Sequence, residues 1–485
     1  MRRDVGSLGV VMLLALFVSG GQPAASAAAA ETPTFARDVA PILYDSCVSC
    51  HRPGEIAPMS LLTYQDARPW ARAIKSKVVS REMPPWHADR ATGLPFRNDP
   101  SLSQAAIDTI VAWVDAGAPP GNMSDLPPVP TFLEGWQHPS GRSPDFIVPM
   151  PVEYTVPAEG GIPYVNFHAK LPLTDDVYAE AVETRPGNRA VVHHASLNRT
   201  DFDEPPPPGP VFAEVGATTS SGPRPAANAN RADGNTTSQT ENVRSNRRPR
   251  SARIGLFTPG AGFEWFPSGT GLRVHGGPTA YIRFNMHYQL TGRPETDRSS
   301  LAIWLQRGPV QFEMVRNRGI VGTILAEGQE LLAGTPGLRA TGTYAVIPTI
   351  PAGADNFETV GVTPFAADTT IYQFNPHAHL RGKDFTYTLV YPDGREEMLL
   401  HVPRYDFNWQ LIYELEEPFV APAGSKLVMT AHYDNSHKNR YNPAPDRDVL
   451  WAEQSWEEMF IPFVVYATEP EEDAAAKSTT QENQE

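Results

Sequence analysis

From about residue 145 onward the chain consists of short runs rich in β-branched and aromatic residues. PYVNFHAKL, AYIRFNMHYQL, GTYAVIPTI, DFTYTLVYP and KLVMTAHY are examples, separated by Gly, Pro, Asn and Asp. Runs of this length and spacing predict antiparallel strands joined by turns, the pattern of sandwiches and jelly rolls. The 49 prolines and 37 glycines point the same way, because neither residue extends a helix readily. Roughly 330 residues of this pattern exceed what one hydrophobic core serves. We therefore expect two all-β jelly-roll sandwich domains, at 145–317 and 318–468.

The front of the chain reads differently. MRRD, the apolar run VVMLLALFV and the small residues ASAAAA have the order of a cleaved export signal, assigned to residues 1–28. That run is too short to span a bilayer comfortably, so no membrane span is expected in the mature chain, although an uncleaved anchor is the alternative. A periplasmic or otherwise exported location follows. An exported chain is free to form disulfides, yet this one has 2 cysteines, both in CVSCH. C-x-x-C-H is the attachment pattern of a c-type haem: Cys47 and Cys50 hold the porphyrin and His51 offers a nitrogen to iron. A C-x-x-C redox pair is the competing reading.

A thioether is a common second ligand to such a haem. Met59 and Met83 are available, and Met83 is preferred. It lies in REMPPWHAD, a Pro-stiffened loop after the helix-like stretch 67–80, and this arrangement resembles the methionine loop of small monohaem cytochromes c. His87 in the same loop reads as a bystander. Further on, Ile107, Ile110, Val111 and Val114 recur at helical spacing before Gly117, Pro119 and Pro120 stop the helix. Residues 31–122 are thus expected to form a small all-α cytochrome c domain with one covalent haem c, and 123–144 a stiff linker. Residues 203–251 are poor in large apolar side chains and predict a disordered insertion in the first sandwich, and 469–485 a disordered tail. The formal charge of −15 argues against a nucleic-acid partner.

Several strands carry metal-ligating side chains. FNPHAHLRGK places His377 and His379 two residues apart, on one face of an extended chain. On its own such a pair is more often a surface feature. AVVHHASL adds His193 and His194, FNMHYQ adds His287, and SWEEMFIPF adds Met459. Neighbours on a regular strand point to opposite faces, so His193 and His194 share one ion only if a bulge intervenes. His168, His275, His401 and His432 read as ordinary strand or loop histidines, and His138 and His437 as loop residues.

Taken together, these motifs resemble the type II copper monooxygenases, the family of peptidylglycine α-hydroxylating monooxygenase and dopamine β-monooxygenase. The resemblance spans about 145–468. It implies two coppers: one held by His193, His194 and His287, the other by His377, His379 and Met459, where the pattern H-x-H-x-x-G-K and a later methionine recur. It also implies C–H hydroxylation with O2 at the methionine-containing centre, and an electron-storing role for the three-histidine centre. Imidazole suits both copper states and a thioether the reduced one. Ascorbate commonly supplies the electrons in the family. Here the haem is expected to deliver them, instead or in addition, from an external electron donor.

The chain departs from the family in having no cysteine for disulfides in the sandwiches. Asn375 stands where the peptide enzyme has a carboxylate-binding arginine, and Ile461 and Phe463 replace polar side chains. These changes predict a small, apolar substrate. Lys383 and Asp384 are candidates to orient the nearby histidines. The alternatives are a non-catalytic haem and copper electron carrier or copper-binding protein, and a binding module in which only the haem is active.

Overall fold

The computed structural model describes residues 31–132, 135–160, 163–212, 253–317, 349–449 and 454–469. The predicted export segment 1–28, residues 213–251 of the predicted insertion and residues 470–485 of the predicted tail lie outside the described residues.

Residues 31–122 begin as a small helical unit. The hydroxyl of Ser103 accepts from the Ala106 amide at 3.2 Å and so caps the helix Gln104–Asp115. Gly117, at φ +88°, ends it in a conformation that few other residues adopt. Ile107 and Ile110 are buried as the periodicity predicts. Trp113 completes the buried face, while Val111 and Val114 sit at its margin. The helix-like stretch 67–80 becomes the helix Ala71–Val79 after a 3-10 turn, Arg68–Trp70. These elements close over Phe35, Val39 and Leu43 from the first helical segments.

The packing of this unit does not stop at its own core. After Met83 the chain crosses onto the C-terminal sandwich. The Leu94 amide donates to Leu399 O at 3.0 Å, Arg97 N to Glu414 O at 2.9 Å, and Glu416 N to Pro95 O at 3.0 Å. Trp86 lies edge-on to Tyr413 with ring centroids 4.9 Å apart, and Ala88 is buried in that sandwich's core. The unit is thus stitched to its neighbour by backbone hydrogen bonds, with Met83 at the seam.

Two sandwiches follow, but they are not separate. The first packs a five-stranded sheet against one end of a nine-stranded sheet, and the second packs a four-stranded sheet against the other end. The strand Phe312–Asn317 makes the join. It pairs parallel with Thr270–Val274 of the first sandwich and antiparallel with Ile461–Thr468 of the second. Ile461–Thr468 in turn pairs with Thr369–His377. The expected boundary after residue 317 therefore falls at the end of a strand that belongs to both halves. The linker contributes as well: Trp136 packs on Trp304, and Arg185 covers Trp136 with its guanidinium 4.2 Å from the ring centre.

Strand alternation sets the stage for the site. In Ala280–Tyr288, Ile282, Phe284 and Met286 point into the core, and Arg283, Asn285 and His287 point the other way. The adjacent strand Val192–Asp201 pairs with it, bringing His194, Ser196 and Asn198 opposite His287, Asn285 and Arg283. This polar face is turned towards the second sandwich.

Candidate metal centres

The pairing of those two strands slips at one point. His287 pairs with His194, but Tyr288 pairs with Val192, so His193 is the extra residue of a bulge. The slip turns both neighbouring imidazoles towards His287. Ring centroids lie 5.1 Å apart for His193 and His287, 4.8 Å for His194 and His287, and 5.3 Å for His193 and His194. One nitrogen from each of the three falls within 4.8 Å of the others.

Hydrogen bonds identify which nitrogens face inward. His193 Nδ1 and His194 Nδ1 are 3.1 Å apart. His194 Nε2 is taken by the Tyr164 hydroxyl at 2.9 Å, and His287 Nδ1 is buried with no hydrogen-bond partner. Three Nδ1 lone pairs converging in a buried place fit a single soft or borderline cation. Burial lowers the pKa of His193, and that of His287 falls to about 3, so both are neutral at pH 7 and their lone pairs are free.

The second pair is built at a strand end. His377 closes Thr369–His377, and His379 lies just beyond it in a turn; the rings are 5.3 Å apart and nearly perpendicular. The turn requires Gly382, because an added Cβ would come within 2.6 Å of Ala378 Cβ and 2.9 Å of the Tyr405 ring. His377 Nδ1 donates to Gln410 Oε1 at 2.6 Å, and His379 Nδ1 to the Glu457 carbonyl at 3.2 Å. Both rings therefore keep Nε2 as the lone-pair nitrogen, and His379 Nε2 is buried without a hydrogen-bond partner. The Glu458 carboxylate binds the turn together, accepting from the amides of His379, Arg381 and Met459 at 2.8, 2.6 and 3.2 Å. Burial raises its pKa to about 7, against the opposing effect of those amides.

Lys383 and Asp384 do not orient this pair. Lys383 reaches Asn356 Oδ1 at 2.5 Å and Asp384 binds His432 Nδ1 at 2.6 Å, so both side chains are engaged elsewhere. Gln410 and the Glu457–Glu458 segment do the work expected of them. The remaining histidines have ordinary partners: His138 bonds Glu180, His275 bonds Asp176, and His437 bonds Asp446. His168 is packed on Phe202 and His401 lies 3.7 Å from Asp89.

The two histidine sets are near neighbours. The Tyr164 ring stacks on His287 at 4.7 Å and faces His379 at 6.1 Å, while Phe407 is 5.7 Å from His287 and 5.8 Å from His379. Sequence reading had no signal for Tyr164, Phe407 or Gln410, which lie in segments without a metal-binding pattern.

Two cavities meet this cluster. One is lined by His194, His377, His379 and Met459 together with Arg253, Arg283, Ser196, Asn198, Asn285 and Asn375. Leu256, Ile461 and Phe463 also line it, as the apolar expectation had it, so its wall is mixed. Asn375 is no arginine, but Arg253 arrives from the other sandwich, donates to Asn375 Oδ1 at 3.0 Å and lies 4.0 Å over the Phe463 ring. No Asp or Glu lines this cavity among the described residues. The other cavity, of about 630 Å³, is lined by Cys47, Cys50, His51 and Met83 and also by His193 and His287.

The residues of this second cavity fit a covalent haem. Neither cysteine is in a disulfide. His51 Nδ1 donates to the Met59 carbonyl at 3.2 Å, which leaves Nε2 as the lone-pair nitrogen of a ring on the cavity wall. Burial lowers the His51 pKa and keeps the imidazole neutral. The Met83 side chain lines the cavity, whereas Met59 packs against the helical core.

No curated protein matches the chain. Among solved structures it is similar to allantoicase, at 10% identity over 58% of this chain and 79% of that one, with a TM-score of 0.16. It is also similar to PNGF-II, at 9% identity over 67% of this chain and 66% of that one, TM-score 0.24. A Paenibacillus xanthan lyase matches at 9% identity over 72% of this chain and 29% of that one, TM-score 0.17. Likenesses this weak carry no argument. A family model does: copper type II ascorbate-dependent monooxygenase, C-terminal domain, matches residues 340–484. That span holds His377, His379, Gln410, Glu458 and Met459, and over it the chain is similar to the C-terminal domain of the copper type II ascorbate-dependent monooxygenases.

Proposed function

We propose that this protein hydroxylates a C–H bond of a small molecule with O2, using two coppers and electrons delivered through a covalent haem c. The observation that carries the reading is the placement of two histidine sets, each with inward lone pairs, side by side between two cavities. His193, His194 and His287 would hold one copper, and His377, His379 and Met459 the other. Bound copper would supply one-electron chemistry and the activation of O2, and the thioether of Met459 favours the reduced ion there.

The protein's own groups do the rest. Gln410 and the Glu457 carbonyl hold two imidazoles in one tautomer. Tyr164 does the same for His194. Arg253, Arg283 and the amides beside them suit a substrate carrying an anionic or strongly polar group, which they would orient against His377 and Met459. Cys47 and Cys50 would anchor the haem, with His51 and Met83 as its axial ligands. An exported location is consistent with the signal-like residues 1–28 and with c-type attachment.

Metal analysis of the purified chain is expected to give two coppers and one iron, and O2 uptake that depends on substrate. Iron without copper sinks the oxygenase reading. Copper with no substrate-dependent uptake favours a non-catalytic electron carrier or copper-binding protein.

A further inference from the structure

We infer that the three-histidine centre forms the far wall of the haem seat, so that electrons enter the copper system at His193 and His287. This rests on the reading above and adds the point of entry and the separation of two faces.

The helical unit does not enclose the haem cavity by itself. Cys47, Cys50, His51 and Met83 line one side, and His193 and His287 line the same space from the first sandwich. His377, His379 and Met459 are not on its wall; they line the second cavity with His194. Phe407 stands between, lining the haem cavity while its ring lies 6.2 Å from His193 and 5.8 Å from His379. A Cβ on Gly260 would lie 3.8 Å from Cys50 Sγ, so a loop of the first sandwich rests directly against the cysteine side.

The two sides are held in place. Arg189 of the first sandwich pairs with Glu55 at 3.4 Å, and Asn98 Nδ2 donates to Ile412 O of the second at 2.8 Å. A haem held in this space would share its wall with His193 and His287, with Phe407 between it and His379. One electron leaves ferrous haem and reduces the cupric ion held by His193, His194 and His287. Ferric haem and a cuprous ion result, and an external one-electron donor restores the ferrous haem. The second cavity, on the other side of the cluster, is left to substrate.

The test uses the full-length, haem-loaded chain with either Cu(II) or diamagnetic Zn(II) in its copper sites. Electron-spin relaxation of the ferric haem is read by microwave power saturation. Cu(II) is expected to raise the half-saturation power above the Zn(II) value. The His377→Ala/His379→Ala chain keeps that shift, and the His193→Ala/His287→Ala chain loses it. Equal half-saturation power with Cu(II) and Zn(II) in the unmutated chain overturns the inference alone, as does a shift that follows His377 and His379. A chain that matures without a c-type haem spectrum overturns the inference and the reading beneath it together.

Discussion

Replacing Tyr164 with phenylalanine removes one oxygen atom from the centre of the cluster. That oxygen lies 2.9 Å from His194 Nε2, in a residue only 4% exposed. With His194 Nδ1 directed at His193, Nε2 carries the ring proton and the Tyr164 oxygen is its acceptor. Without it a buried N–H is left unsatisfied, at about 1–3 kcal/mol. Loss of a partner that orients a metal-bound histidine typically lowers metal affinity by about 10–100-fold, and at about 1.4 kcal/mol per tenfold the two ranges agree. The ring contact with His287 survives in the phenylalanine variant, so the effect isolates the hydroxyl. The assay is anaerobic competition for Cu(I) with a chromophoric chelator, one site at a time. We expect the three-histidine centre to weaken 10–100-fold and the centre at His377, His379 and Met459 to hold its affinity. An unchanged three-histidine affinity, or an equal drop at both centres, refutes the assigned tautomer.

Gln410→Leu should act in mirror image, weakening the His377 and His379 centre by about 10–100-fold and sparing the other, as the same competition measures. Gly382→Ala forces a methyl against Ala378 and Tyr405. Thermal or urea unfolding should show a loss of about 1–3 kcal/mol, with reduced copper occupancy at the adjacent histidines; wild-type stability would show that the turn relaxes freely. The pKa of His432 is raised above 6.5, first by its hydrogen bond to Asp384. A group raised in the folded state contributes stability in full below its unfolded pKa and loses it as pH rises through the folded value. His432→Gln should therefore lower the melting temperature more at pH 5.5 than at pH 9, and an equal loss at both counts against the pairing.

The parts of the site that could be read in advance are those where chemistry is written into adjacent residues. Two neighbouring histidines demanded a bulge, and the structure has one at His193. The spacing of His377 and His379 was also readable, although they share a direction through a strand end and a turn rather than along a straight strand. Tyr164, Gln410 and Arg253 could not be found this way. Each arrives from a distant segment, and nothing local distinguishes it from any other tyrosine, glutamine or arginine. Arg253 is the instructive case: Asn375 stands in place of an arginine, yet a guanidinium from another strand reaches it, beside the apolar Ile461 and Phe463 that the sequence did place there. Strand content was equally readable from composition and alternation. The sharing of one sheet between the sandwiches was not, because it depends on edge pairings between strands some 150 residues apart, as in Phe312–Asn317 with Ile461–Thr468.

That shared sheet sets a limit on movement. Two lobes swing about a pivot only when the seam between them can be opened cheaply, and this seam is a ladder of main-chain hydrogen bonds with apolar side chains on its faces. Breaking it would expose paired backbone to water and disturb both cores at once. The spacing between the two sets of imidazoles is thus a property of the scaffold, and small molecules must come and go through side-chain and loop adjustments, because the halves have no freedom to part.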